Sequence, residues 1–365
     1  MIRTHKIRLN PTDEDEVYFY KASGTARYAY NQAVAKWREA EGTKPEAREL
    51  RQQFNASKPD WAYEVTKCAS EGAFKDFGAA LKHYYDGRAE APMFKSRNRG
   101  HFSFYLANDK FNVSGHWIKI PKLGLVNMAE KLRFHGKIMN ARITKEGNHW
   151  YACIAVEMPD KSVLPKNEVC GIDVGILRLA TLSDGTEFKN MRPLKNNLRR
   201  LAHLQRVLAR KQKGSKNQEH IKRKVRALHA HIHHIRNDIL HKMTTRISRK
   251  YSFIALEDLN VKGMTKNHCL AQALQDAALG RLHILLENKV NARHGQVVTV
   301  GRFFASSKLC SNPDCDGKCD DLTLSDRIFV CAKCGLTLDR DLNASINILY
   351  EGLRIAAEHA SSGSG

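Results

Sequence analysis

CAKCGLTLDRDLNASINI, residues 331 to 348, joins two kinds of metal chemistry in one short stretch. Cys331 and Cys334 stand two residues apart, the gap that lets one tight turn present two thiolates to a single ion. Cys310 and Cys315 supply a second pair upstream. Four thiolates make a closed tetrahedral shell, which is a structural zinc site and not a catalytic one. The second half brings Asp339 and Asp341 into Asn343-Ala344-Ser345-Ile346-Asn347-Ile348, a run with helical apolar spacing. A carboxylate fixed in the first turn of that helix is well placed to hold a divalent ion.

The charge around this stretch names the kind of partner. Against 38 Asp and Glu the chain carries 60 Lys and Arg, a net charge of +22 that fits binding to a polyanion through release of condensed counterions. Nucleic acid leads, because no segment approaches the roughly 18 apolar residues of a membrane span. The start, MIRTHKIRLNP, has no apolar core of signal-peptide type, so a cytoplasmic protein, nucleoid-associated when bound to DNA, is expected. Five of the nine cysteines crowd between Cys310 and Cys334, which suits a reducing compartment with one metal cluster better than a disulfide framework. The 365 residues allow two or three domains with a sizeable core.

Upstream, Ile2 to Leu9 reads as a strand, followed by a helix capped near Thr12 or Asp13. Helical spacing runs from Val17 to Ala40 and again from Tyr63 to Tyr85, giving a small helical unit over residues 14–91. From Met93 to Met158 short strands alternate with Gly115, Gly124 and Gly147, which reads as a small antiparallel barrel made of residues 1–13 and 92–160 and interrupted by the helices. Lys95, Arg97 and Arg99 belong to its basic face. Residues 161–167, with Pro165, read as a linker.

Beyond the linker, VCGIDVGILRLATLSDGTEFKN gives a hairpin extended by a third strand. Asp173 interrupts its first, apolar strand, where a carboxylate is costly unless a cation or donors compensate it. Residues 192–250 form a helical hairpin turning at Lys213-Gly214-Ser215, with only Glu219 and Asp238 set against many Lys and Arg, an imbalance that favours phosphate contact. His231, His233 and His234 do not share one helical side and are read as surface or phosphate-facing groups. YSFIALEDL is a buried strand ending in Glu257-Asp258; a helix near Leu274 to His294, a strand at Gln296–Val300, the cysteine module over 306–336 and a helix from Asp341 to about Glu358 follow. The final SSGSG reads as a tail without structure.

Asp173, Glu257 and Asp341 thus occupy a strand, a strand end and a helix start. Such a set can hold two divalent ions that act on the two sides of a phosphodiester. Asp339 competes for the third position and Asp258 for the second; Asp341 is preferred because Ile348, seven residues on, shares its helical face and anchors it.

GIDVGI, ALEDLNV and CGLTLDRDLNASINI, in that order, resemble the RuvC-type nuclease domain of TnpB, the transposon-encoded RNA-guided nuclease family related to compact type V CRISPR effectors. FFASSKLC, TARYAYNQAV, APMFKSRNRG and IPKLGLV are similar to the family as well, so the resemblance spans nearly the whole chain. It implies a mixed α/β and β multidomain fold: an RNase H-like RuvC core over 168–365 with a helical-hairpin insertion and a zinc-binding module, preceded by a wedge-like β-barrel with a helical recognition insert. It implies a guide RNA derived from the transposon end, and cutting of double-stranded DNA beside a short adjacent motif, with sequence read mainly by base pairing. It assigns Asp173, Glu257 and Asp341 as Mg2+ (or Mn2+) ligands and catalytic carboxylates, and Cys310, Cys315, Cys331 and Cys334 as Zn2+ ligands. The family's first cysteine pair has two intervening residues where this chain has four, so Cys319 is an alternative to Cys315. Lys67, Lys95, Arg97, Arg99, Arg199, Arg200, Arg206, Arg210, Lys211, Lys213 and Arg340 are candidates for nucleic-acid contact. The alternatives are a nuclease-inactive RNA-guided repressor, which would lack one of the carboxylates, and a miniature type V effector.

Overall fold

A computed structural model describes residues 1–97, 101–159, 168–323 and 325–362; Arg99 and the expected linker at 161–167 lie outside the described residues. The chain divides into two compact units, Met1–Asp160 and Lys161–Gly365, and is a mixed α/β, multidomain protein.

In the first unit, β1 (Ile2–Asn10) leads into the long helix α1 (Asp13–Glu39). Thr12 and Asp15 close a reciprocal capping box at its start, which satisfies two of the backbone N–H groups every helix leaves unpaired there. Helices α2 (Ala47–Ser57) and α3 (Cys68–Tyr85) follow. The remaining strands are β2 (Ser103–Ala107), β3 (Asn112–Ser114), β4 (Trp117–Ile120), β5 (Gly124–Met128), β6 (Lys137–Glu146) and β7 (His149–Glu157). They join β1 in an antiparallel sheet ordered β2-β6-β7-β1-β5-β4-β3, with β2 and β3 at its two ends. Phe19 of α1 packs its ring 5.0 Å from Trp150 and 5.9 Å from Phe104, so α1 buries its apolar stripe on the sheet. Helix α3 approaches β2 so closely that a Cβ on Gly72 would lie 2.3 Å from the Cβ of Tyr105.

The second unit is built on a five-stranded sheet ordered β10-β9-β8-β11-β12, from β8 (Glu168–Asp173), β9 (Arg178–Leu182), β10 (Glu187–Lys189), β11 (Tyr251–Glu257) and β12 (Gln296–Val300). β8, β11 and β12 are parallel, and β9 and β10 return antiparallel. Parallel strands covered on both faces need apolar residues at successive positions, and YSFIALE has them. Ile254 and Leu256 face the core shared by α5 (Lys216–Lys250) and α8 (Leu279–Asn291); Phe253 and Ala255 face Ile348 of the C-terminal helix α9 (Arg340–Ser362). A Cβ on Gly171 would lie 2.0 Å from the Ser345 carbonyl oxygen, so β8 and α9 touch backbone to backbone.

Helix α4 (Pro193–Ala209) and α5 form the basic hairpin, zipped by Leu201, Leu228 and Ile232 and turning through Gly214 at φ +83°. The start of α4 is capped from a distance: buried Asp276 of α7 (His268–Ala277) accepts the N–H groups of Leu194 (2.9 Å) and Lys195 (3.0 Å) and pairs with Arg236 at 3.2 Å. The single helix expected over 274–294 is two, because Ala278 turns left-handed (φ +53°) between α7 and α8. Between β11 and α7 lies one further turn of helix, α6 (Val261–Met264). The supposed tail is also corrected in part, since α9 continues through Ser361, whose hydroxyl donates to the carbonyl of Ala357. A short hairpin of β13 (Ile328–Val330) and β14 (Thr337–Asp339) closes the cysteine module just ahead of α9.

Candidate active site

Register brings the first two carboxylates together. Ile172 of β8 pairs with Leu256 of β11 in a parallel ladder, so the next residues, Asp173 and Glu257, end adjacent strands side by side. Neighbouring strands run about 4.8 Å apart, and the crevice outside the carboxyl ends of parallel strands is where open α/β sheets bind ligands. Side chains alternate along a strand. Gly171 faces α9, so Asp173 does too, and Glu257 follows Phe253 and Ala255 to the same side. Asp341 sits in the first turn of α9, over β8. Burial, together with the charges of Glu257 and Asp341, pushes the Asp173 carboxyl well above the usual carboxylate range, and none of the described residues donates a hydrogen bond to it. Burial also raises Glu257, partly offset by the hydroxyl of Ser306, which donates to Oε1. The three carboxylates stay looser than the cysteines: among the described residues only the cysteine set brings its ligand atoms within 4.8 Å of one another.

The two aspartates beside the helix start have different partners. Asp339 Oδ1 accepts the N–H groups of Asp341 (3.0 Å) and Leu342 (3.2 Å), as a helix cap does, and Arg178 Nη1 reaches both its oxygens at 2.8 Å. Burial opposes ionisation of Asp339, but Arg178 and these N–H groups outweigh it and hold its carboxyl below the ordinary value. Asp341 lies inside the first turn and meets guanidinium groups only, Arg340 at 3.0 Å and Arg178 at 3.5 Å. At the other position, Asp258 pairs outward with Arg302 at 2.7 Å, while Glu257 points into the crevice.

The sulfurs of Cys310, Cys315, Cys331 and Cys334 gather into one cluster, with Cys310 and Cys334 3.6 Å apart and Cys315 and Cys331 3.7 Å apart. Cys319 stands in the same module but outside that set. The cluster is compatible with zinc, since four convergent thiol groups are the donor set of a closed tetrahedral site. Gly317 is required there: a Cβ would lie 2.6 Å from the Cys331 sulfur. The N–H of Leu336 lowers the Cys334 thiol to about 6, toward the thiolate a metal needs.

Sequence reasoning missed the residues that tie these parts together. Asn343 and Asn347 are buried on one face of α9. Asn343 accepts the Ser311 N–H and donates to the Leu309 carbonyl; Asn347 donates to the carbonyls of Ser306 (2.8 Å) and Leu309 (2.7 Å). The segment 306–311 is thereby held between Glu257, α9 and the cysteine module. An asparagine pair at i and i+4 inside an apolar helical run was the available signal.

Of the basic candidates, Arg199, Arg200, Arg206, Arg210, Lys211 and Lys213 are exposed on α4 and the turn after it, Lys67 lies 4.0 Å from Glu71, and Arg97 is exposed. The guanidinium of Arg340, another of these candidates, lies 3.0 Å from Asp341. Lys95 lies within the first unit, over the ring of Tyr30.

Three family models match the chain: one described as probable transposase (OrfB_IS605) over residues 153–268, one described as Cas12f1-like, TNB domain over 280–348, and one described as helix-turn-helix domain over 1–41, where this chain has a strand and one long helix. "Putative RNA-guided DNA endonuclease InsQ" of Escherichia coli K12 is 30% identical over 98% of this chain and 94% of its own length. A "Putative RNA-guided DNA endonuclease" of Streptomyces pristinaespiralis is 30% identical over 97% of this chain and 90% of its own. A cryo-EM structure of a Cas12f1-sgRNA-target DNA complex aligns over 96% of this chain and 99% of that chain at 16% identity, with a TM-score of 0.37, too loose a likeness to bear on the fold.

Proposed function

The chain belongs to the TnpB family, and from that premise we propose that it is an RNA-guided DNA endonuclease whose cutting centre is Asp173, Glu257 and Asp341. The guide is an RNA from the transposon end and the substrate double-stranded DNA beside a short adjacent motif, which places the protein in the cytoplasm on nucleoid DNA. In this reading the second unit is an RNase H-like RuvC core, with the α4–α5 hairpin as its insertion and the cysteine module holding zinc. The first unit is the wedge-like barrel with its helical insert.

The observation that carries the reading is the Asp173 carboxyl, half-buried beside two others without a hydrogen-bond donor among the described residues. A cation is what such a group lacks, and all-oxygen donors suit magnesium or manganese. Asp173, Glu257 and Asp341 would hold such ions, and bound there they would supply Lewis-acid activation of water and charge stabilisation for the leaving oxygen of the phosphodiester. The chain's part is orientation. Ser306 fixes the Glu257 carboxylate, the first turn of α9 fixes Asp341, and Arg178 ties that turn to β9 through Asp339. Keeping Asp339 occupied as the cap leaves Asp341 as the carboxylate turned toward the metals.

The test is to purify the protein with RNA expressed from its native locus, sequence that RNA, and assay magnesium-dependent cutting of matching DNA with a randomised flank. Asp173→Ala is expected to abolish cutting while RNA-dependent DNA binding remains. Cutting by that variant would refute the assignment, and a wild type that binds RNA and DNA but never cuts would move the reading to a repressor.

A further inference from the structure

In the first unit, α1, α3, β2 and β6 enclose a cavity of about 360 Å³ whose lining is out of charge balance. Arg27, Lys95 and Arg142 face it against a single carboxylate, Asp76. Arg142 already holds Asp76 through two hydrogen bonds, of 2.7 and 3.0 Å, and Lys95 Nζ is 3.8 Å from the same carboxylate. Arg27 has no acidic partner among the described residues; burial, and then the charge of Arg97, both disfavour its cation. The ammonium of Lys95 is held in place, not left trailing in solvent. Its backbone is clasped by the Asn31 amide, which donates to the Lys95 carbonyl and accepts the Lys95 N–H, and Nζ sits 3.7 Å from the centre of the Tyr30 ring. On the α1 wall the buried hydroxyl of Ser23 has no hydrogen-bond partner. Lys95 itself is exposed, while Arg27 is half-buried without a carboxylate among the described residues, a charge that costs stability unless an anion completes it.

We propose that this cavity binds a backbone phosphate of the nucleic acid, with Arg27 and Lys95 as its ligands and Arg142–Asp76 as the strut between them. Arg27 offers the planar donor fork that suits phosphate, and Lys95 a compact charge beside it. The inference rests on the reading of the chain as a nucleic-acid-binding protein.

The experiment measures binding of the full chain to its co-purified RNA, and binding of the RNA-loaded protein to duplex DNA, across a salt series. For Arg27→Gln with Lys95→Gln, affinity in one of the two arms should fall about tenfold or more, the worth of a charge-assisted hydrogen bond. The slope of log K against log salt should flatten by about 0.7 per lost contact to single-stranded RNA, or about 0.9 to duplex DNA. The arm that changes identifies whose phosphate is bound. Arg27→Lys should retain the slope, and Arg27→Gln alone should melt no lower than wild type without nucleic acid, since it removes an unpaired charge. Unchanged slopes in both arms, or weaker binding at unchanged slope, would overturn the phosphate site while leaving the nuclease reading intact. A wild type that binds neither RNA nor DNA would overturn both.

Discussion

Asp173→Asn should make the metal-free protein more stable while removing its activity. The wild-type carboxyl is half-buried at the end of β8, faces the charges of Glu257 and Asp341, and receives no hydrogen bond from the described residues; of the leading charges around it, Arg340 works in its favour. Asparagine keeps the shape and removes the charge. Leaving a buried polar group unsatisfied costs about 1–3 kcal/mol, and a charged one more. Relief of that order in a unit of this size corresponds to a melting shift of roughly 2–4 °C per kcal/mol, so a rise of several degrees in EDTA is expected. Magnesium should reverse the order. A ligand at a hundred times its Kd adds about 2.7 kcal/mol to a protein that binds it, and the wild type should gain this while the variant gains much less. The assay is thermal melting of both proteins in EDTA and across a magnesium titration, beside a cleavage assay. A variant that melts lower than wild type in EDTA, or that gains as much from magnesium, would refute the claim that Asp173 is a strained carboxylate waiting on a cation.

Two further substitutions test the frame around this centre. Cys331→Ser should cost one zinc per chain by elemental analysis and lower the melting temperature, since metal binding contributes directly to folding in small zinc modules; full zinc content would exclude Cys331 as a ligand. Gly171→Ala places a Cβ 2.0 Å from the Ser345 carbonyl oxygen and 2.5 Å from the Leu349 nitrogen, backbone atoms that cannot swing aside. The expected loss is about 3 kcal/mol or more in urea unfolding, and a loss below about 1 kcal/mol would mean that α9 does not seat on β8 as described.

Much of the second unit could be read in advance because its signals are local. Asp173 breaks an apolar strand, and the leucines and isoleucines of the α4–α5 hairpin keep a helical period to within a few residues of its observed ends. Other features leave weaker marks. Helix α2 buries only Leu50 and Phe54, a single i, i+4 pair that no periodicity argument separates from a loop. The break at Ala278 is hidden because Leu274 before it and Leu279, Leu282 and Leu286 after it all enter one core, so the apolar pattern runs through a point where the backbone turns left-handed without a glycine. Ser306 and Arg178 were beyond reach for another reason: each acts on a residue 49 or 161 positions away, and only the sheet order brings them there.

Asp339 and Asp341 show how far composition can go and what must be added to it. The two are alike in chemistry and two residues apart, yet helix geometry gives them opposite tasks. A carboxylate just outside a helix faces N–H groups left without partners; it accepts them and is consumed as a cap. A carboxylate one turn position inside has its own N–H engaged and its side chain free to project over the neighbouring strand. Asp339 therefore takes Arg178 and the first-turn N–H groups, and Asp341 is delivered above β8 toward Asp173. The anchor expected of Ile348 is in place, fully buried against Phe253, Ala255, Val298 and Val300. Moving the helix start by two residues would exchange these tasks. An Asp339→Asn variant, which still caps but no longer holds Arg178 as a salt bridge, should therefore disturb the centre far less than Asp341→Asn, although both remove one charge from the same helix end.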